Sequence, residues 1–216
     1  MRFIGITGGV GAGKSAILSY LAEKPRTKVL LADEIAHKLM EPGTDCYRQI
    51  VTRFAGEDIF GEQVFFDGEA VEDTSIEKRP FDKSKLAQII FSNPKKRAAM
   101  NAIVHPAVKD YVKSTYRAEC RKGQLELLVL EAALLIEEKY DEICDELWYI
   151  YTSETIRRQR LKESRGYSDA KIESIFRSQL SEEEFRESTD ITIDNNGDLE
   201  ETFEQIENAL RREADE

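Results

Sequence analysis

Apolar residues recur along the chain in two rhythms. Short runs with almost no polar interruption, at Phe3–Thr7, Lys28–Leu31, Leu125–Leu130, Leu147–Tyr151 and Asp190–Ile193, predict buried strands. Helical patterns fill the intervals, and such strands alternating with helices predict a parallel sheet covered on both faces. The last helix shows the logic best. Asp198 is placed to cap it, Glu201 stands three residues on, and Leu199, Phe203, Ile206 and Leu210 recur every three or four positions. Its apolar stripe should pack on the core while its acidic side faces water.

The interval between the second and third strands is too long for one crossover helix. Helices are predicted at Asp45–Phe54, Lys83–Phe91, Pro94–Val104 and Pro106–Lys122, each proline suiting a first helical turn. A Gly- and Asp-punctuated stretch, Gly56–Asp73, reads as a loop with at most a short hairpin. The expected class is therefore α/β, with a mainly helical insertion on a parallel-sheet core. At 216 residues this is one domain with appendages.

The 31 basic and 42 acidic side chains leave a net charge of −11, and residues 178–216, with 3 basic and 14 acidic groups, supply all of it. Just before that acidic end, residues 156–177 carry seven Lys/Arg against three Asp/Glu, among them Arg157, Arg158, Arg160, Lys162 and Arg165. Such a run is either a solvated helix face or a basic flap for a polyanion. With residues 1–177 neutral overall, there is no broad basic surface for nucleic acid, and a small phosphorylated ligand is the better fit. No apolar run approaches the roughly 20 residues needed to cross a bilayer, so no membrane partner is expected. Met1-Arg2 leads directly into a strand, which argues against a signal peptide. Cys46, Cys120 and Cys144 form neither a disulfide framework nor a zinc pattern, and a reducing cytoplasm is the expected compartment.

The strongest chemical signal is Gly8-Gly9-Val10-Gly11-Ala12-Gly13-Lys14-Ser15, a GxxxxGK[ST] phosphate-binding loop between a predicted strand and a predicted helix. Glycines allow the positive φ angles that turn successive N–H groups onto one anion, and the helix beginning near Gly13 adds its positive dipole end. Lys14 can reach the β- and γ-phosphates of ATP, and the Ser15 hydroxyl can ligate Mg²⁺. Gly11 to Ala16 also satisfies the shorter dinucleotide fingerprint GxGxxG/A, with Asp33 about 20 residues on. That reading leaves Gly8, Gly9 and the Lys14-Ser15 pair unexplained.

Among phosphate-loop proteins, a GTP switch needs a DxxG and then an N/TKxD. Asp194-Asn195-Asn196-Gly197 fits the first but lies near the C-terminus with no second motif after it, so it reads as a turn. Motor-type ATPases usually need more chain. A small-molecule kinase needs an acceptor-binding insertion after the second strand and a later basic lid, and both are predicted independently. Asp33 follows the second strand, where it can serve an acceptor hydroxyl or cap the helix Glu34–Met40. Glu131 ends the third strand, at the place of an acid that steadies Mg²⁺ through water.

Taken together, Gly5 to Ser15, Ala32-Asp33-Glu34-Ile35-Ala36-His37, Glu41-Pro42-Gly43, the stretch from Phe91 to His105-Pro106, Leu134-Leu135-Ile136-Glu137 and Ile193 to Gly197 resemble the dephospho-coenzyme A kinase family over nearly the whole chain. The resemblance implies a three-layer P-loop NTPase fold with a five-stranded parallel sheet. It divides the chain into a nucleotide-binding core (1–40, 124–152 and 189–216), a helical acceptor-binding insertion (41–123) and a helical lid (153–188). The implied reaction is transfer of the γ-phosphoryl of ATP, held with Mg²⁺, to the ribose 3′-hydroxyl of dephospho-CoA, the last step of coenzyme A synthesis. The partners implied are ATP and dephospho-CoA, bound by a monomer or small homo-oligomer. ATP binding falls to Gly11, Ala12, Gly13, Lys14, Ser15 and Ala16, catalysis to Asp33 with Lys14, acceptor binding to Asp33 and Lys83, and the lid to Arg160 and Arg165. Several positions depart from the family pattern. Its first acid of the Asp33 motif is Leu31, an insertion arginine is Lys83, a conserved-type Asp-x-Pro reads Glu131-Ala132-Ala133, and a lid arginine is Ser164, with Arg165 one position later. Lys83 keeps the charge of an arginine but loses its bidentate fork.

Overall fold

The structure, a computed structural model, describes residues 1–54, Ile59 and 80–211. The predicted loop Gly56–Asp73 and the side chain of Lys83 lie outside the described part. Five parallel strands, β1 (Arg2–Thr7), β2 (Thr27–Leu31), β3 (Leu127–Glu131), β4 (Glu146–Tyr151) and β5 (Ile191–Asp194), form one sheet in the order β2-β3-β1-β4-β5. The helices are α1 (Lys14–Ala22), α2 (Ala32–Leu39), α3 (Asp45–Arg53), α4 (Lys83–Ser92), α5 (Pro94–Lys122), α6 (Glu154–Arg165), α7 (Asp169–Arg177), α8 (Glu182–Glu187) and α9 (Leu199–Arg211). Two compact units are distinguishable: Met1–Ala32 with Tyr116–Glu216, and Asp33–Thr115.

The first unit holds the sheet. Strand alternation sends Ile4 and Ile6 of β1 to one face, where they join Ile17 and Leu21 of α1 and Ile206 and Ala209 of α9 in a single buried cluster with Val129 and Trp148. On the other face, Phe3 stacks on Tyr116 near the end of α5 at 5.1 Å, and Tyr149 stacks on Phe185 of α8 at 4.7 Å. Helices therefore cover both faces, which is why the inner strands β1, β3 and β4 tolerate almost uninterrupted apolar sequence. Each fully buried Ile or Leu contributes about 1.5–3 kcal/mol. Residues 153–188, predicted as a lid, form α6, α7 and α8 of this unit, and Gly166 at φ 61° ends α6.

The second unit is helical. Thr44 caps α3 by accepting from the Tyr47 N–H at 3.0 Å, and Asp82 caps α4 by accepting from the Ser84 and Lys85 N–H groups. The unit begins at Asp33, where the chain leaves β2 directly into α2 with no intervening loop.

The helices predicted at Pro94–Val104 and Pro106–Lys122 are one helix of 29 residues with Pro106 inside it. A mid-helix proline costs about 3 kcal/mol through its lost hydrogen bond and ring clash. Burial of Met100, Val104, Val108 and Val112 along one side at four-residue spacing offsets that cost and keeps the helix continuous.

Candidate active site

The phosphate-binding loop runs from the end of β1 to the start of α1. Gly11 and Gly13 have φ of 85° and 86°, in the left-handed region that other residues enter at a cost of about 1–2 kcal/mol. The Ala12 N–H donates to Gly9 O at 3.0 Å and closes the turn. Among the described residues, the N–H groups of Gly11, Gly13 and Ser15 have no hydrogen-bond partner. A run of such donors at a helix start is an anion-binding arrangement. Lys14 Nζ donates to Gly8 O at 2.7 Å and lies 3.5 Å from Glu131 Oε1. Glu131 is the last residue of β3, in register with Ile6 of β1 and Leu31 of β2, so the sheet itself sets the acid beside the loop lysine.

Ser15 is exposed, and its hydroxyl has no partner among the described residues. Its oxygen and the Glu131 carboxylate are hard donors of the type Mg²⁺ takes while keeping several waters. They are the oxygen donors that Ser15 and Glu131 could offer such an ion. No cluster of three or more His, Cys, Asp or Glu able to hold a metal by itself occurs among the described residues.

The loop is held from behind by groups that sequence reasoning did not single out as site residues. Asn195, 1% exposed just past β5, donates from Nδ2 to Ala12 O at 2.7 Å and accepts from Thr202 Oγ1 at 3.0 Å. Thr152, just past β4, donates to Ala12 O or to Asn195 O. Gly13 must lack a side chain here, since a β-carbon would fall within 3.0 Å of Asn195 Nδ2. Arg157 of α6 donates to Val10 O at 2.9 Å and to Gln179 Oε1, which also accepts from the Val10 N–H at 3.3 Å. The Arg157 guanidinium also stacks over Phe176 at 4.4 Å. Burial pulls its pKa below the ordinary value, opposed by Tyr149 and Glu154, and it remains cationic. The clamp thus holds the carbonyls of Val10 and Ala12 and the Val10 N–H, while the N–H groups of Gly11, Gly13 and Ser15 carry no partner among the described residues.

The two arginines predicted as lid residues sit differently. Arg160 donates to Asn195 O at 3.1 Å and reaches Ala12 O at 3.5 Å, on the loop's supporting side. Arg165 is exposed at the end of α6, with its guanidinium 5.9 Å from the Tyr167 ring.

In the second unit, Asp33 lies in the first turn of α2 rather than capping it, because the helix begins at Ala32. Its carboxylate is exposed, makes no hydrogen bond or ion pair among the described residues, and lines a cavity of about 670 Å³. A cavity of this size with a mostly apolar wall suits a nucleotide-sized organic ligand.

The family model for dephospho-CoA kinase matches residues 2–201. The chain belongs to the dephospho-CoA kinase family. A dephospho-CoA kinase of Oceanobacillus iheyensis is 34% identical over 97% of this chain and 96% of its own, and one of Shouchella clausii is 32% identical over 99% of each. A Thermus thermophilus protein of known crystal structure superposes with a TM-score of 0.72 at 25% identity, covering 98% of this chain and 97% of that one. The dephospho-CoA kinase of Campylobacter jejuni (TM-score 0.62, 18% identity, 98% and 97% coverage) and a shikimate kinase of Acinetobacter baumannii (0.51, 16%, 98% and 92%) share the fold. Membership of the dephospho-CoA kinase family fits the phosphate-loop reading of Gly8–Ser15 and leaves no place for the dinucleotide-binding reading of Gly11–Ala16. No helix among the described residues is long and apolar enough to cross a membrane.

Proposed function

We infer that this protein phosphorylates the ribose 3′-hydroxyl of dephospho-CoA with ATP, giving coenzyme A and ADP. The observation that carries the reading is the set of N–H groups of Gly11, Gly13 and Ser15, without partners among the described residues and beside Lys14, in a chain of the dephospho-CoA kinase family. These amides would grip the triphosphate as fixed donors. Lys14 would leave Gly8 O for the β- and γ-phosphates. Ser15, and Glu131 through water, would hold Mg²⁺, which would supply positive charge against the phosphate oxygens.

In the transfer, the 3′-oxygen of the acceptor bonds to the γ-phosphorus while the bond from that phosphorus to the β–γ bridging oxygen breaks. The hydroxyl proton passes to the Asp33 carboxylate, and ADP carries away the bond's electron pair. Asp33 is suited to this because no other group among the described residues occupies its carboxylate. Little covalent work is left to the protein beyond positioning and charge stabilisation. In the same reading Arg165 would serve as a lid cation and Lys83 as an acceptor-binding cation, while Arg160 braces the loop from its supporting side. Cys46, Cys120 and Cys144 form no disulfide among the described residues, which fits a reducing compartment such as the cytoplasm.

A coupled assay of ADP release tests the function directly, with dephospho-CoA, nucleoside monophosphates or no acceptor. Release that depends on dephospho-CoA is expected. Release that depends instead on a nucleoside monophosphate reassigns the acceptor, and ATP binding with no turnover makes the protein a nucleotide sensor.

A further inference from the structure

The cavity of the second unit is unbalanced in charge for an anionic acceptor. Among the described residues its wall carries two carboxylates, Asp33 and Glu41, two imidazoles, His37 and His105, and a single guanidinium, Arg97. Its apolar part includes Phe81, Leu86, Ile90 and Met100. Arg97 is exposed in the first turn of α5, and its side chain makes no hydrogen bond or ion pair among the described residues. Asn101 and His105 follow at four-residue intervals on the same helix and line the same cavity. From Arg97 to His105 the strip spans about 12 Å at 1.5 Å per residue, long enough to follow a nucleoside and its 5′-diphosphate.

We propose that Arg97 binds the 5′-diphosphate of the acceptor and so selects acceptors that carry this group. This rests on the acceptor reading given above, in which Asp33 meets the 3′-hydroxyl. An acceptor whose hydroxyl reaches Asp33 brings its diphosphate into a cavity that already holds two carboxylates. Repulsion from them opposes entry unless a cation stands nearby, and a low-dielectric apolar wall strengthens both effects. An arginine matches the need because its planar fork can bind two phosphate oxygens at once. An arginine already engaged by a carboxylate would have to break that pair first, whereas Arg97 is available as it stands. Phe81, Leu86, Ile90 and Met100 would take the less polar parts of the same molecule.

The test compares steady-state kinetics of Arg97→Gln, Arg97→Lys and the unaltered protein with dephospho-CoA and MgATP. Arg97→Gln should raise KM for dephospho-CoA about 10- to 100-fold, the range for a lost charge-assisted hydrogen-bond pair. KM for ATP, kcat at saturating acceptor and the melting temperature should all stay close to the unaltered values. Arg97→Lys should recover part of the loss, because it restores the charge without the fork. A KM for dephospho-CoA within threefold of normal in Arg97→Gln overturns the proposal. So does a loss shared equally by the ATP KM or the melting temperature, which would make Arg97 a structural residue. If the unaltered protein does not turn over dephospho-CoA at all, the acceptor reading falls and this proposal falls with it. If it does and Arg97→Gln is silent, only this proposal fails.

Discussion

Replacing Gly13 by Ala tests how the loop gets its shape. Two costs arise at this position, and they are separable. The first is conformational: φ of 86° puts an L-residue in the left-handed region, at about 1–2 kcal/mol. The second is a collision, since the new β-carbon would come within 3.0 Å of Asn195 Nδ2, with Arg160 close behind. Asn195 can make room only by giving up its bond to Ala12 O, and a buried amide left unpaired costs about 1–3 kcal/mol. Gly166 provides the control. It has φ of 61° and open space where a β-carbon would go, so Gly166→Ala should carry the first cost alone.

For a chain of this length each kcal/mol lowers Tm by about 2–4 °C. Gly166→Ala is then expected to melt roughly 2–8 °C lower, and Gly13→Ala roughly 4–20 °C lower. MgATP should raise the Tm of Gly166→Ala as it does that of the unaltered protein, but not that of Gly13→Ala. Adding Asn195→Ala to Gly13→Ala removes the collision partner, so the double variant should lose less than the sum of the two single changes. Equal Tm losses in Gly13→Ala and Gly166→Ala, with additive behaviour in the double variant, would show that Asn195 does not shape the loop.

Other substitutions separate the roles of the site residues. Lys14→Ala should abolish ADP release while leaving the far-UV circular dichroism spectrum unchanged. Asp33→Asn should lower kcat at least about 100-fold, the lower end for a lost general base, with little change in KM for ATP. An unaltered kcat would remove Asp33 from the chemistry. Arg160→Ala should raise KM for ATP or lower kcat, because Arg160 braces both Ala12 O and Asn195 O, whereas Arg165→Ala should affect turnover without changing Tm. Silence in both variants would make the basic run of α6 a solvated face.

Much of the molecule was legible from local pattern. The apolar runs located all five strands within two residues, because strands buried on both faces must be apolar throughout. The phosphate loop was equally plain, since its glycines, lysine and serine each answer a backbone or charge requirement confined to one turn of chain. Where the reading erred, a local rule met a longer-range force. Pro106 ordinarily starts a helix, and here it sits inside one, because the buried side chains on both sides of it outweigh its penalty.

The supporting clamp could not be read in the same way. Asn195 and Ala12 are 183 residues apart, and Gln179 and Val10 are 169 apart. Asp194-Asn195-Asn196-Gly197 looks like a turn, and the chain does leave β5 at Asp194 and bend before α9 begins at Leu199. That its Asn195 side chain is buried against the phosphate loop follows only from β5 lying beyond β4 on the side of β1 away from β3. Sequence alone determined which residues can bind phosphate, because that chemistry is local. Tertiary structure decided what holds them in shape, because a buried polar group must find its partner wherever the strand order brings one.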